Sequence, residues 1–291
     1  MSGPVLITGG AGSVGRRIVD RLVDGGRSVR IFDLPFMDFS GLEDMREIEI
    51  VKGDITDADT VAAAVSGVSA VIHLAALLPP NSERDREKTF AVNVGGTENI
   101  IKALEKSPSV APLIFTSSIS TYGNTSNEEP PVRTDHPQSA IDVYADSKIV
   151  GEAKVRESSQ SWVALRIAGI TVPAFLEPPS PWPFVADQRV EMVHRDDVVD
   201  ALYACVDNRS AENKIFNIGG GPTWQLKGED YVRDFYDFMG APMEDVEYRE
   251  SPGWVDWYDT EESQRILSYQ NRSYRHYSDE MKEIVKALMA E

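Results

Sequence analysis

The tightest constraint on this chain is Pro4-Val5-Leu6-Ile7-Thr8-Gly9-Gly10-Ala11-Gly12-Ser13-Val14-Gly15. Four apolar or β-branched residues run straight into glycines at 9, 12 and 15, and Val14, Ile18, Leu22 and Val23 then share a helical face. Gly9 permits a turn too tight for a side chain. Gly12 lets the backbone approach a ligand, and Gly15 lets the helix pack closely on the strand. The free N–H groups of the helix's first turn, at Ser13, Val14 and Gly15, attract an anion. Strand, glycine turn and helix in this order read as the diphosphate cradle of a dinucleotide.

The following strands agree. Ser28-Val29-Arg30-Ile31-Phe32-Asp33 is a second buried strand ending in an aspartate roughly 20 residues beyond the glycines, where a carboxylate accepts both ribose hydroxyls of NAD. A 2′-phosphate would be repelled there, although Arg16 and Arg17 keep NADP in view. Strands are expected at 48–51, 70–74, 113–116, 162–167 and 214–218, and helices at 58–65 (capped by Thr56 or Asp57), 90–104, from 143, and 197–206. This alternation gives an α/β fold, a Rossmann-like doubly wound parallel sheet whose ligands lie at the carboxyl ends of its strands. Residues 124–138 and the Pro-rich 173–183 read as loops, the first as a wall or lid over substrate.

Composition narrows the partners. At 291 residues the chain has room for one large domain and a smaller one. Its 47 acidic against 29 basic residues give a net charge of −18, which argues against nucleic acid. No apolar run approaches the ~20 residues that cross a bilayer, so no membrane partner is expected. No signal peptide is visible and Cys205 stands alone, which together point to the cytoplasm. His73, His136, His194 and His276 have no mutual metal spacing, so structural roles and no metal site are expected.

Chemistry concentrates at Tyr144-Ala145-Asp146-Ser147-Lys148. Four residues apart on a helix, Tyr144 and Lys148 share a face. An ammonium beside a phenol lowers its pKa from about 10 toward neutrality. Such a tyrosine exchanges the proton of an alcohol–ketone pair while nicotinamide exchanges hydride. Ser118, at the end of the fifth strand, is placed to hydrogen-bond the same oxygen, and Lys148 to hold the nicotinamide ribose.

With these motifs the chain resembles an extended short-chain dehydrogenase/reductase of the NAD-dependent epimerase/dehydratase family. Further matching pieces are Gly53-Asp54-Ile55, His73-Leu74-Ala75-Ala76, Asn93-Val94-Gly95-Gly96-Thr97, and Thr116-Ser117-Ser118-Ile119-Ser120-Thr121-Tyr122-Gly123. Leu165-Arg166, His194-Arg195-Asp196-Asp197 and Asn217-Ile218-Gly219-Gly220-Gly221 complete the series. The resemblance implies Ser118, Tyr144 and Lys148 as catalytic residues. It places Asp54 and Ile55 along the adenine, and Leu74, Ala75, Ala76, Asn93 and Thr116 around NAD. Ser117, Ser118, Tyr144 and Arg249 fall on the substrate side. It also implies an NAD-binding domain over 1–165 with 190–220 returning to it, and a smaller, partly interleaved substrate part over 166–189 and 221–291. A homodimer through 97–104 and 143–155 follows from the same likeness.

Departures restrict the substrate. The acidic pair of dehydratases is replaced by Ile119 and Ser120. Epimerases carry an asparagine where Gly169 stands, and an arginine where Val190 stands with Arg189 one place off, whereas Arg249 with Asp259 matches a second diphosphate-binding position. Three readings stay open: a non-dehydrating epimerase of a sugar or sugar nucleotide, a net dehydrogenase or reductase of a small polyol, aldose, uronate or hydroxyketone, and an NAD-sensing protein without catalysis.

Overall fold

Alternation along the strands sorts apolar side chains onto two faces of one sheet. In β1 (Val5–Thr8), Val5 and Ile7 enter one core cluster and Leu6 the other. The computed structural model describes residues 3–107 and 111–290. Its large sheet adds β2 (Val29–Asp33), β3 (Ile48–Lys52), β4 (Ala70–His73), β5 (Leu113–Ser118), β6 (Trp162–Ile167) and, after two strands of a second sheet, β9 (Lys214–Ile218). The order β3-β2-β1-β4-β5-β6-β9 is parallel throughout.

Helices cover both faces. On one lie α1 (Ser13–Asp24) and α6 (Arg195–Cys205), with Ile18, Leu22, Val198 and Leu202 buried against Val5, Ile31 and Ile72. On the other, α2 (Ala58–Val65), α4 (Gly96–Lys106) and α5 (Val143–Glu157) bury Val61, Ile100, Leu104 and Val155 against Leu6, Val71 and Phe115. Asp57 caps α2 as expected, accepting from the N–H of Asp59 at 3.0 Å. The helix expected over 90–104 starts earlier, at α3 (Arg86–Phe90), and reaches α4 through a π-turn over Ala91–Gly95. The apolar stripes behind the expected homodimer are largely used within the chain, since Ile100, Ile101, Leu104 and Val155 are core.

A second sheet, β10-β8-β7, joins β7 (Gly169–Thr171), β8 (Arg189–His194) and β10 (Gln225–Lys227). The return to the large sheet expected from residue 190 is made by α6 and β9. β8 itself pairs with β7 and β10, and its Val190 and Met192 enter a third, aromatic cluster. That cluster holds Trp182, Phe184 and Trp224 against α7 (Gly228–Met239) and α9 (Tyr274–Met289), while the short α8 (Glu261–Leu267) packs beneath α6. Among the described residues no helix is long and apolar enough to cross a membrane.

Candidate active site

The three glycines divide their work as their spacing predicts. Gly9 takes a left-handed φ of +75°, and a Cβ there would lie 3.0 Å from the Ala75 nitrogen. A Cβ on Gly15 would meet the Gly9 carbonyl oxygen at 2.3 Å, so helix and turn touch through backbone alone. Gly12 is the N-cap of α1 and no side chain caps that helix. The first-turn N–H groups are therefore left for an anion. At the end of β2, Asp33 accepts from the N–H groups of Ala11 and Leu34, both at 2.9 Å. This fastens its carboxylate to the glycine turn. Arg16 and Arg17 are engaged elsewhere, Arg16 with the 38–40 loop and Arg17 with Asp196 at 3.0 Å.

His73 links this turn to the helices behind it. Thr97 Oγ1 donates to the Asn93 carbonyl at 2.6 Å, so it accepts from His73 Nε2 at 3.0 Å. His73 Nδ1 then accepts from Thr8 Oγ1 at 2.7 Å, which in turn accepts from the Ala75 N–H at 3.2 Å. Full burial holds the imidazole at a pKa of about 3, hence neutral. Asn93, in the π-turn, accepts from the Leu77 N–H at 2.7 Å and donates to Leu77 O and to Ser147 Oγ at 2.9 Å. Its side chain clamps the loop after β4 onto α5. Leu77 and Ser147 are its partners here, and the likeness had set it around NAD.

A cavity of about 520 Å³ runs from the glycine turn to the end of β5 and the first turns of α5. Gly9, Gly12, Ser13, Val14 and Gly15 line it, with Leu74. Thr116, Ser117, Ser118, Tyr144 and Lys148 line it too, as does Asp142. Leu78, Pro79, Ile167, Ile170 and Trp254 line it as well; sequence reasoning names none of the five singly, although Ile167, Ile170 and Trp254 fall in the stretches expected to bind substrate. Asp33, Asp54, Ile55, Ala75, Ala76, Asn93 and Arg249 are not on its walls. Asp54 is exposed and turns back on Thr56, and Ile55 is core beneath Gly96.

Within the cavity, Ser118 Oγ accepts from the N–H and the hydroxyl of Ser120 at 3.1 and 2.9 Å. Its own hydrogen is left to donate outward. Ser117 Oγ is buried and lacks a partner among the described residues. Lys148, 4% exposed, donates from Nζ to the Thr116 carbonyl at 2.8 Å, and burial lowers its pKa to about 8. Nζ lies 5.7 Å from the Tyr144 ring centroid. The lowered phenol pKa expected of Tyr144 is absent: burial, and then the carboxylate of Asp142, push it well above the ordinary value. Lys148 faces a backbone carbonyl here, so desolvation wins and the Tyr144 phenol stays protonated.

Two arginines differ from each other. Arg189 is bound bidentately to buried Asp256 at 2.5 and 3.0 Å and to loop carbonyls. Arg249 is half-buried, bears electrostatically on the cavity-lining Asp142, and has no side-chain hydrogen bond or ion pair among the described residues.

The cradle fits NAD: Gly15 admits no Cβ without collision and Gly9 takes a left-handed φ, the helix start is uncapped, and a carboxylate stands at the end of β2. The model of the 3-beta hydroxysteroid dehydrogenase/isomerase family matches residues 6–169, more than half of the chain. A 3 beta-hydroxysteroid dehydrogenase/Delta 5→4-isomerase of Mycobacterium tuberculosis is 39% identical over 160 residues, covering 52% of this chain and 41% of that protein. The 3 beta-hydroxysteroid dehydrogenase type 7 of Rattus norvegicus is 34% identical over 165 residues, covering 53% and 48%. The match thus spans less than half the length of either relative. Among solved structures, a short-chain dehydrogenase/reductase superfamily protein from Agrobacterium tumefaciens with bound NAD superposes with a TM-score of 0.80 at 23% identity, covering 98% of both chains. UDP-glucose 4-epimerase of Thermotoga maritima with UDP-glucose gives 0.83 at 20% identity, covering 98% and 99%. These two share the fold, and the family model carries the assignment. The chain belongs to the 3-beta hydroxysteroid dehydrogenase/isomerase family, within the NAD-dependent extended short-chain dehydrogenases/reductases.

Proposed function

We propose that this protein is a net NAD-dependent dehydrogenase or ketone reductase acting at a secondary alcohol carbon of an apolar ring compound. One observation carries the reading. The cavity that holds Ser118, Tyr144 and Lys148 is also lined by Leu78, Pro79, Ile167, Ile170 and Trp254, apolar side chains suited to an alicyclic body. The relatives' names, 3 beta-hydroxysteroid dehydrogenases, support the same class. Arg189 supports it as well, being neutralised by Asp256.

When bound, NAD supplies the redox chemistry, accepting hydride from a carbinol carbon or returning it to a carbonyl. The chain supplies the rest. Ser118 donates a hydrogen bond to the reacting oxygen. Tyr144 gives that oxygen a proton on reduction and takes it back on oxidation, so ketone, hydride and proton together become the secondary alcohol. Lys148, pinned by the Thr116 carbonyl with Nζ 5.7 Å from the Tyr144 ring centroid, supplies an ammonium that would favour the phenolate once the proton has left. The glycine turn and Asp33 orient NAD, and the small sheet with residues 221–291 holds the substrate body.

The epimerase reading keeps one support, the unpaired Arg249, which suits a diphosphate. A panel decides: NADH formation from a 3β-hydroxysteroid, from an aldose and from UDP-glucose, each with NAD in solution. Turnover of the steroid alone supports the proposal. Interconversion of the nucleotide sugar without free NADH refutes it.

A further inference from the structure

The first turn of α5 leaves the N–H groups of Val143, Tyr144 and Ala145 without intrahelical partners. All three are satisfied, by acceptors of two origins. Asp142, the N-cap, takes the N–H of Ala145 at 2.7 Å with its side chain, while its carbonyl takes the first intrahelical bond, from Asp146 at 3.2 Å. The other two, Val143 and Tyr144, go to one carboxylate from a distant loop. Glu83 Oε2 accepts from Val143 at 2.9 Å and Oε1 from Tyr144 at 3.1 Å. Sixty-one residues separate Glu83 from Tyr144.

Glu83 is itself held. Ser82, buried, donates to Glu83 Oε1 at 2.8 Å, and its carbonyl accepts from Thr89 Oγ1 at 2.8 Å. The same loop supplies Leu78 and Pro79 to the cavity wall and is clamped at Leu77 by Asn93. A carboxylate gripping two adjacent N–H groups fixes both the rotation and the axial position of a helix start. One of those two groups belongs to the residue whose phenol enters the cavity.

We propose that Glu83 is a positioning residue for Tyr144, setting the register of the catalytic helix against the cavity wall so that the phenol meets the reacting oxygen. The inference rests on the reading of Tyr144 as the proton donor and deepens it. Glu83 is not among the residues that line the cavity.

The test compares Glu83→Ala, Glu83→Gln and Arg86→Ala. Arg86 ties the neighbouring segment to α5 through Asp146 at 2.6 Å, so its loss loosens the contact without touching the Tyr144 N–H. With a 3β-hydroxysteroid and NAD, Glu83→Ala should lower kcat by about tenfold to a hundredfold and leave KM and NADH affinity within about twofold, as a displaced proton donor predicts. Glu83→Gln, keeping one acceptor oxygen, should fall between, and Arg86→Ala should match the wild type. A readout without substrate accompanies these: the tyrosinate absorbance of each variant minus that of its Tyr144→Phe counterpart. Asp142, Lys148 and Arg249, the other charged groups near the phenol, are unchanged in every variant. Glu83→Ala should bring Tyr144 down toward the ordinary tyrosine value of about 10, because the phenol leaves its desolvated seat. An unchanged Tyr144 titration in Glu83→Ala overturns the proposal, as does an equal kcat loss in Arg86→Ala. If the wild type ignores the steroid, the substrate class fails and the titration still decides on Glu83.

Discussion

Lys148→Met keeps the length of a buried side chain and removes its charge, separating what the site needs from what the fold prefers. Burial lowers the Lys148 pKa from 10.5 to about 8. That difference corresponds to about 3 kcal/mol of folding free energy forgone while the amine is charged in both states. The bond from Nζ to the Thr116 carbonyl returns about 1 kcal/mol. The methionine variant is therefore expected to be more stable than the wild type by about 2 kcal/mol at neutral pH, while losing turnover. Between about 8 and 10.5, the folded wild type binds fewer protons than the unfolded chain, so its stability rises with pH across that window. The advantage of methionine should shrink there and reverse slightly at its upper end. Urea midpoints of both proteins over a pH series measure this. A variant less stable at neutral pH, or a difference that does not change across the window, refutes the reasoning.

Three further outcomes follow from the same geometry. Tyr144→Phe should cut turnover by at least about a hundredfold while NADH titration shows affinity unchanged. Asp33→Ala should weaken NAD binding by about tenfold and erode its preference over NADP, measured by competitive titration of the two. Asp142→Asn retains the N-cap oxygen for Ala145 but removes the charge that, after burial, raises the Tyr144 phenol. Phenolate then forms at lower pH, so the oxidation profile should shift to lower pH than that of the wild type.

The local features of the fold were readable in the chain. Residues 5–15 carry strand, turn and helix in one short stretch, and Asp33, Ser118, Tyr144 and Lys148 each lie at a strand end or on a helix whose pattern is local. The small sheet was not readable. β7 and β10 are three residues each, and β8 finds them across connections of about 17 and 30 residues, the second containing α6 and β9, so no periodicity announces the pairing. The apolar lining of the cavity is likewise assembled from Leu78, Ile170 and Trp254, which come to one cavity only after folding. Glu83 sits in an irregular loop and its role appears only as bond partners. The raised phenol pKa of Tyr144 is not legible in the sequence, because spacing places Lys148 on its face but says nothing of the Thr116 carbonyl that takes the ammonium.

The destination of one hydrogen separates hydride loss to free cofactor from internal recycling. With a 3β-hydroxysteroid deuterated at its carbinol carbon and NAD in solution, the deuterium should appear in NADH recovered after the protein is removed. It should be absent from the ketone product. Deuterium retained in the product, with none in the recovered cofactor, would contradict a net dehydrogenase at this cavity.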